Sequence, residues 1–432
     1  MGEDINNTRT RIIRNVLAFY DKNKDECENQ YKIANDNQIG DIYSSIDDYD
    51  EVNLLLAKVS VVLLTANKYE KNVLHQYFNN TTKNKIQKCK ICILSKGDDS
   101  LYTQGYFFEW HGYFIFHIDA ITTGSHTKGG SADLVRYIIE SKYIYPTIII
   151  SVGICFGIDD KKNSLGDVVI SEKVYPYFIG AKITDGDVFI NDDHFFRSNQ
   201  HLISNIKSLF NSNKLSKNND RTFLGNIITG EAVISDESVR NIFAGAIKQE
   251  VIGGEMEGYG LFKECQGYAH TVPCLIVKSI CDWAAVKNIN KEDIPTDYNL
   301  GNDEIDKMKD SIQSFASLRS AIILEKLFQN NIFCQSLYSF AKKQIKVLYE
   351  AKNNACTYRM IDSKIRAAEI LVEKYAVSLA EEQVWSIIKG LISENIICVV
   401  PDNRKGSEGN EILYNTNQVY NIMEGTKKNV NK

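Results

Sequence analysis

The sequence lacks any segment that would place the chain in or across a membrane. Its longest apolar run, residues 147–158, is much shorter than the roughly 20 residues that a membrane-spanning helix needs. The polar, acidic start of the chain leads into no apolar segment of the kind found in signal peptides. These absences predict a cytoplasmic protein that makes no membrane contact.

The sequence also lacks a strong excess of either charge. It has 50 Lys and Arg against 55 Asp and Glu, a net charge of −5, so no global basicity indicates a nucleic-acid partner. Its ten cysteines are scattered. The pair with metal-like spacing, Cys89 and Cys92, has no second pair and no nearby histidine that would complete a zinc site. Alternation along 86–94 favours a β-strand there, and we predict no metal site.

Three regions of the chain differ in pattern. Residues 1–55 are predicted to be a polar N-terminal extension with one amphipathic helix, followed by a loop or linker at 35–53. Residues 56–330 alternate between apolar runs and helical stretches, which predicts an α/β layered domain: a mostly parallel mixed central β-sheet flanked by helices. The apolar runs that we assign to strands are 59–65, 91–94, 113–118, 147–152, 167–170, 226–228 and 274–277. The helical stretches are 68–77, 131–141, 237–246, 257–264 and 306–328.

Residues 331–432 are predicted to form a small winged-helix-like module. Two helical patterns are followed by a hairpin whose turn carries Arg404 and Lys405. Duplex DNA binding depends heavily on neutralising phosphates, and this region is only slightly basic. We therefore predict a protein partner for this module, with DNA as the less favoured alternative.

The acidic motif GGEMEGYG at 253–260 contains the strongest functional signal. A glycine pair followed by two carboxylates around a methionine is typical of a turn from a strand into a helix. Asp282 follows the apolar run 274–277 and therefore lies at the C-terminal end of a predicted strand. Ligands bind at that edge of open α/β sheets, so we expect both acidic segments to face one crevice. Carboxylates there indicate acid–base chemistry on a hydroxyl-bearing substrate.

Several motifs in the same order resemble the purine nucleoside phosphorylase and nucleosidase superfamily, particularly 5′-methylthioadenosine/S-adenosylhomocysteine nucleosidase. The resemblance covers about residues 57–330, and its motifs lie at 66–70, 151–158, 166–169, 229–234, 253–260 and 281–282. It implies a nucleoside phosphorylase-like fold and an enzyme that acts on a purine nucleoside. It also implies a homo-oligomer that needs no organic cofactor.

The resemblance assigns four residues to the sugar and the nucleophile. Glu70 is expected to help activate the attacking water, and Glu257 is expected to accept hydrogen bonds from the 2′- and 3′-hydroxyls of the ribose. Met256 would pack beneath the sugar, and Glu255 would lie near the nucleophile. Read without the resemblance, Glu70 could simply favour the start of a helix.

The purine base is expected to meet a second group of residues. Asp282 is the predicted general acid for N7, a role that a partly desolvated strand end near other acids favours. Val233 and Ile234 would edge the adenine ring, and Phe156 belongs to the same predicted binding surface. The chain departs from many nucleosidases here, because Ile154 and Phe156 stand in place of Ser and Gly, and Cys281 replaces Ser.

Hydrolysis is favoured over phosphorolysis because neither loop that would bind phosphate, 65–69 or 122–130, contains an arginine. Loop 122–130 and Lys278 are instead candidates for contacting the phosphates of a nucleotide substrate. The predicted function is hydrolysis of an adenine nucleoside or nucleotide, with ATP as one candidate substrate of a defence-type effector. Two alternatives stay open: a phosphate-dependent purine nucleoside phosphorylase, and a nucleoside-sensing regulator.

Overall fold

The computed structural model describes residues 5–333 except 97–98, 127, 142–143, 145, 179–181, 185–186, 190–193, 216–220, 232–233, 235–236, 268–271, 285–288, 299 and 331. The chain divides into two compact units, residues 1–335 and 336–432. The predicted winged-helix-like module, including Arg404 and Lys405, lies outside the described residues. The predicted protein or DNA partner of that module therefore stays a prediction.

Helices and strands alternate through the described part of the chain. Its helices are α1 (Ile5–Lys22), α2 (Lys24–Ala34), α3 (Tyr49–Lys58), α4 (Lys68–Thr82), α5 (Ser131–Glu140), α6 (Gln200–Asn211), α7 (Glu237–Gly245), α8 (Gly258–Gly267) and α9 (Asn302–Gln329). Its strands are β1 (Tyr43–Ser45), β2 (Val61–Thr65), β3 (Ile86–Lys96), β4 (Asp99–Trp110), β5 (Tyr113–Asp119), β6 (Ile148–Gly157), β7 (Val168–Pro176), β8 (Lys182–Thr184), β9 (Asp187–Phe189), β10 (Phe196–Arg197), β11 (Thr222–Thr229), β12 (Val251–Glu255) and β13 (Cys274–Asp282).

Eleven of the described strands form one sheet in the order β1-β3-β4-β5-β2-β6-β12-β11-β7-β10, with β13 joining β6 to β7. Strands β6, β12, β11, β7 and β13 therefore close into a ring. Pairing is parallel from β5 through β2 and β6 to β13. It is antiparallel in β3-β4-β5 and between β12 and β6. The predicted α/β class is confirmed, but the predicted predominance of parallel pairing is not.

The central strands are apolar on both faces because helices cover both. All five residues of β2 and all nine of β13 are buried. Side chains alternate across a strand, so Val62 and Leu64 join one apolar core while Val61 and Leu63 join another. This arrangement explains why near-continuous apolar runs predicted these strands correctly. None of the described helices combines the length and apolarity that a bilayer crossing requires.

The N-terminal extension contains more regular structure than its sequence pattern predicts. The predicted amphipathic helix is confirmed as α1, and its apolar face lies in the main core with Ile12 and Leu17 buried. The prediction of a loop throughout 35–53 was wrong, because β1 pairs with β3 and α3 begins within that segment. The side chain of Asp48 accepts the backbone N–H groups at the start of α3. A polar residue that suggested a loop therefore acts as a helix cap.

A chain of neutral groups is buried beside β2 and β5. The Tyr43 hydroxyl lies 2.8 Å from His75 Nδ1, and His75 Nε2 lies 2.8 Å from His117 Nδ1. His117 Nε2 then lies 2.9 Å from Thr65 Oγ1, which donates to Asp119 Oδ1 at 2.6 Å. Burial lowers the pKa of His117 to about 4 and that of His75 well below its usual range. Because both imidazoles are neutral and the carboxylate only accepts, every hydrogen bond in this histidine chain points towards Asp119.

Candidate active site

Four charged residues from separate elements meet at one end of the ring of strands. Glu70 lies in the first turn of α4, Lys278 lies in β13, Glu255 ends β12, and Glu257 directly precedes α8. All four are buried. The predicted turn from strand to helix at 253–260 is confirmed, and it delivers both of its carboxylates to this acidic cluster.

Lys278 is the cation of the acidic cluster. Its Nζ lies 2.5 Å from Glu257 Oε2 and 3.3 Å from Glu255 Oε2. Burial disfavours the ammonium, but Glu257, Glu255 and Glu70 outweigh that effect and raise the pKa of Lys278. The cluster therefore holds three carboxyl groups and one ammonium, so the ammonium cannot balance all three carboxyls if they ionise together.

Burial tends to raise the pKa of both Glu255 and Glu257, but the net shift differs between the two residues. For Glu257, attraction to Lys278 outweighs burial, so its pKa is lowered and its carboxylate is ionised. For Glu255, burial dominates and the pKa is raised. The Glu255 carboxyl accepts the backbone N–H groups of Glu257 at 2.9 Å and Gly258 at 3.0 Å. Glu255 thus holds the start of α8 in place, while Glu257 carries the ionised group.

Glu70 connects the start of α4 to the end of β6. It forms a capping box with Asn67, and its Oε2 accepts the Ala66 N–H at 2.5 Å. Its Oε1 accepts the Ile154 N–H at 2.8 Å. Burial raises the pKa of Glu70 to about 7. This geometry is consistent both with a helix-capping role and with a catalytic role for Glu70. The Ile154 side chain has no hydroxyl, but the Ile154 backbone N–H donates to Glu70.

Gly153 leaves the space that Glu70 occupies. Its φ of +153° falls in the region that favours glycine. A Cβ built at this position would lie 2.0 Å from Glu70 Oε1. Any side chain at 153 would therefore displace the carboxyl group.

Asp282 ends β13. Because the register shifts between Ile280 and Asp282, Lys278 and Asp282 pair with Gly153 and Phe156, which are three residues or roughly 10 Å apart along β6. Its Oδ1 accepts the Ala284 N–H at 2.6 Å, and Cys281 Sγ lies 3.6 Å from its Oδ2. A thiol therefore lies beside the Asp282 carboxyl group. Asp282 is buried.

The end of β6 lies between the two acidic segments. Phe156 pairs with Gly254 on one side and with Asp282 on the other, so the segments are about two strand spacings, or roughly 10 Å, apart. Phe156 belongs to an apolar cluster that also contains Ile234 and Ala284. A Cβ at Gly254 would lie 2.2 Å from the Phe156 ring, which explains the need for glycine there. The predicted base contact Val233 lies outside the described residues.

The loop after β5 is fastened to the acidic motif. Ser125 Oγ donates to the Met256 carbonyl at 2.8 Å and accepts the Gly260 N–H at 2.9 Å. The backbone N–H groups of Ser125 and His126 donate to Glu231 at 3.1 and 2.9 Å. The Glu231 carboxylate thus occupies two of the donors in loop 122–130 that we considered for substrate phosphates. The attachment of this loop to Glu231 and to the acidic motif was not predicted, because it depends on tertiary contacts.

Arg240 on α7 was also missed by sequence reasoning. It is buried, and its Nη1 donates to the Trp283 carbonyl at 2.5 Å, directly after Asp282. A cavity of about 490 Å³ is lined by Arg240, Glu237, Arg11 and Asp160, among others. None of the acidic-cluster residues lines that cavity, and we assign it no role.

The predicted site residues therefore form two neighbouring groups. Glu70, Glu255, Glu257 and Lys278 form the acidic cluster, with the Met256 backbone beside it. Asp282, Phe156 and Ile234 lie around the end of β6. Phe156 links the two groups, because it pairs with both Gly254 and Asp282.

Comparison with curated proteins finds a relative with an enzymatic name. Over 205 residues the chain is 28% identical to the death domain-containing ATP nucleosidase of Amphimedon queenslandica. This similarity confirms the predicted resemblance to nucleosidases. The match covers 42% of this chain and 37% of the relative, so it spans little more than a third of that protein's length. No family model matches the chain.

Solved nucleosidase structures share a low similarity with the chain. The 5′-methylthioadenosine/S-adenosylhomocysteine nucleosidase of Neisseria meningitidis, in complex with methylthio-immucillin-A, is 16% identical, with 62% of this chain and 98% of that chain covered and a TM-score of 0.44. A putative nucleosidase of the same kind from Borrelia burgdorferi, bound to adenine, is 18% identical, with coverages of 62% and 98% and a TM-score of 0.45. The futalosine hydrolase of Helicobacter pylori is 14% identical, with coverages of 62% and 97% and a TM-score of 0.44.

Proposed function

We propose that this chain hydrolyses the N-glycosidic bond of an adenine nucleoside or nucleotide and releases free adenine. The observation that carries the proposal is that Gly254, which directly precedes Glu255, and Asp282 pair with Phe156 from opposite sides at the end of β6. Similarity to an ATP nucleosidase supports the same chemistry. No metal or organic cofactor is part of the proposed reaction.

Glu257 is the proposed ligand of the ribose. Lys278 keeps its carboxylate ionised, and an ionised carboxylate can accept hydrogen bonds from both the 2′- and the 3′-hydroxyl. These bonds strengthen as positive charge develops on the sugar in an oxocarbenium-like transition state. Met256 would pack beneath the sugar. A contact between Lys278 and substrate phosphates is not part of this proposal, because three carboxyl groups already act on that ammonium.

Glu70 is the proposed base for the attacking water. Its pKa of about 7 suits a group that must accept a proton near neutral pH. Water adds to C1′ and passes a proton to Glu70 while the bond from C1′ to N9 breaks. The electron pair of that bond leaves with the base.

Asp282 is the proposed general acid, and it gives its proton to N7 of the departing purine. The Ala284 N–H and the Cys281 thiol fix its carboxyl group from two sides. Phe156 and Ile234 belong to the adjoining apolar cluster, which suits a flat aromatic base. Proton transfer by a positioned group of this kind contributes about 10²–10⁴-fold to the rate.

ATP is the nucleotide that we propose first as substrate, since the curated relative is named an ATP nucleosidase. Loss of ATP would suit a defence-type effector. We further propose that the chain forms homo-oligomers and that residues 331–432 bind a protein partner.

Chromatography of free base tests the proposed reaction. The full chain is incubated with ATP, adenosine, 5′-methylthioadenosine and GTP, each with and without inorganic phosphate. We expect adenine from at least one adenine compound without phosphate, and a loss of about 10²–10⁴-fold in Asp282→Asn. Asp21→Asn, at an exposed position of α1, is the matched control and should retain full activity. Strict dependence on phosphate would overturn hydrolysis in favour of phosphorolysis, and a complete lack of base release would overturn both.

A further inference from the structure

Helix α7 buries an arginine and exposes aliphatic side chains. Arg240 is 2% exposed, whereas Val239 and Ile242 are 38% and 44% exposed. An amphipathic helix normally has the opposite arrangement. Removing a guanidinium from water costs several kcal/mol unless good partners compensate, so the partners of Arg240 should explain its position.

These partners hold the guanidinium in one orientation. Its Nη1 donates to the Trp283 carbonyl at 2.5 Å, and Nε and Nη2 donate to Asn241 Oδ1 at 3.1 and 2.9 Å. Nη2 also lies 3.3 Å from Glu237 Oε1. Asn241 and Glu237 belong to the same helix as the arginine, so they orient it. The hydrogen bond to Trp283 is the one in this set that leaves α7.

That hydrogen bond fastens the turn that holds Asp282. Trp283 follows Asp282, and the next residue, Ala284, donates its N–H to Asp282 Oδ1 at 2.6 Å. Ala284 has a φ of +59°, a conformation that is costly for a residue with a Cβ and persists only where the surroundings enforce it. The guanidinium donates to the Trp283 carbonyl, which lies at the centre of this strained turn. Moving Arg240 would therefore move the N–H group that orients the Asp282 carboxyl.

Opposite charges as well as hydrogen bonds hold the guanidinium of Arg240. Burial lowers the pKa of this guanidinium, and the carboxyl groups of Glu237, Asp160 and Asp282 oppose that effect. These attractions help to keep the Arg240 side chain beside the 282–284 turn.

We propose that Arg240 is a positioning residue for the general acid Asp282. This inference rests on the proposed function, because it assigns Arg240 a role in the same proton transfer. Arg240 contacts no reacting atom. It holds the 282–284 turn in a strained geometry and thereby fixes the Ala284 N–H that orients the Asp282 carboxyl group.

A double-mutant cycle tests the proposal. Arg240→Met removes the charge and the donors but keeps the length of the side chain, and Arg240→Lys keeps the charge and one donor. We expect Arg240→Met to lower kcat for adenine release by about 10- to 100-fold with little change in KM, since the loss falls on a proton-transfer step. Arg240→Lys should recover part of that loss. Arg240→Met combined with Asp282→Asn should be no slower than Asp282→Asn alone, because residues that act as one unit are not additive.

Several outcomes would overturn the proposal. One is a wild-type kcat in Arg240→Met. Another is a double variant, Arg240→Met with Asp282→Asn, in which kcat falls by the product of the two single-variant losses. Arg136→Met on α5, which breaks a partly exposed ion pair with Glu264, controls for the loss of an arginine and should leave kcat unchanged. If Arg240→Met does not fold, Asn241→Ala keeps the arginine but removes its orienting acceptor, and an unchanged kcat there would count against the proposal.

Failure of this inference is distinguishable from failure of the proposed function. If the wild-type chain releases no base, or if Asp282→Asn is fully active, the proposed function or its general acid is wrong. If the wild type is active and Asp282→Asn is not, but Arg240→Met behaves like the wild type, only the role of Arg240 is wrong.

Discussion

The acidic cluster and the histidine chain are both buried, but the histidine chain consists mainly of neutral hydrogen-bonded groups and the acidic cluster consists of ionisable groups around one cation. The histidine chain is neutral from Tyr43 to Thr65, and each donor meets one acceptor until the chain ends at Asp119, which forms an ion pair with Lys71 at 3.0 Å. The acidic cluster forces three carboxyl groups around one ammonium. In the histidine chain each donor therefore has its acceptor. In the acidic cluster three carboxyl groups compete for one ammonium group.

We propose that this difference separates a structural network, the histidine chain, from a functional one, the acidic cluster. Buried polar groups in folded proteins normally find partners, and a satisfied network needs no further explanation. Carboxyl groups whose pKa values are driven in different directions by burial and neighbouring charge are typical of catalytic sites. The pKa of Glu257 is lowered, whereas the pKa values of Glu255 and Glu70 are raised. If this contrast is right, mutations in the acidic cluster should reduce turnover, and mutations in the histidine chain should reduce stability alone.

Glu70→Gln should produce the largest effect. The amide cannot accept a proton from water, so we expect kcat to fall by about 10²–10⁴-fold. In the wild type, the base is active only when ionised. With a pKa of about 7 for Glu70, the ionised fraction of this base increases through pH 7, and the contribution of Glu70 to kcat/KM should increase with it. The general acid, which must keep its proton, sets the upper limb of the profile. A pH–rate profile measures this dependence, and a wild-type rate that stays flat from pH 5 to 8 would remove Glu70 from the role of base.

Glu172→Gln is the matched control for Glu70→Gln. Glu172 pairs with Lys207 at the surface, so the change should leave both the rate and its pH dependence intact. Equal losses in the two variants would mean that the substitution acts through general damage to the fold.

Lys278→Met should produce the next largest effect, this time on folding. It leaves Glu70, Glu255 and Glu257 buried without their cation, and breaking a buried ion pair in this way costs about 3–5 kcal/mol. Urea unfolding measures the change. Lys207→Met removes a surface lysine of the same length and should cost less than about 1 kcal/mol. Equal costs for the two variants would contradict the geometry of the acidic cluster.

His117→Phe should have the smallest effect of the three and no effect on kcat. It leaves His75 Nε2 and Thr65 Oγ1 without their partner, at a cost of about 1–3 kcal/mol. The same residue makes stability depend on pH. Histidine titrates near about 6.5 when unfolded but near about 4 in folded His117, so the folded state resists protonation. Its contribution is complete above pH 6.5 and is lost as pH falls towards 4.

Urea unfolding at two pH values checks this window. From pH 7 to pH 5 the wild type should lose about 2 kcal/mol through His117, and His117→Phe should lose less over the same interval. A variant with an unchanged pH dependence would show that His117 is not the group responsible. A variant with lost turnover but intact stability would show that the histidine chain is functional, and the contrast between the two networks would fail.

Much of the central fold was predictable because buried strands leave a clear pattern. The apolar runs at 59–65 and 147–152 correspond to β2 and β6, since strands covered on both faces need apolar residues throughout. Strand β12 was harder to assign, because two of its five residues are Gly253 and Gly254, which are present to make room for β6. Mixed pairing was not predictable either. It depends on which strands meet across the ring, and no local pattern records that.

The candidate site was predictable where a motif carries it and not where tertiary contacts create it. Glu257 and Asp282 belong to recognisable segments. Lys278 was noticed but assigned to phosphate, because only the fold reveals that two glutamates surround it. Arg240 was missed because helical periodicity favours Val239 and Ile242 on the buried face of α7, whereas the structure buries Arg240. A contact with a distant backbone carbonyl reversed that preference.

Gly153 gives a simple way to recognise which related chains could share the proposed chemistry. A hydrogen atom is all that the backbone can carry at this point while Glu70 keeps its place. A paralogue with alanine there would have to seat its glutamate elsewhere, whatever the rest of its acidic motif looks like. Such a chain would be expected to retain the architecture as a catalytically silent copy.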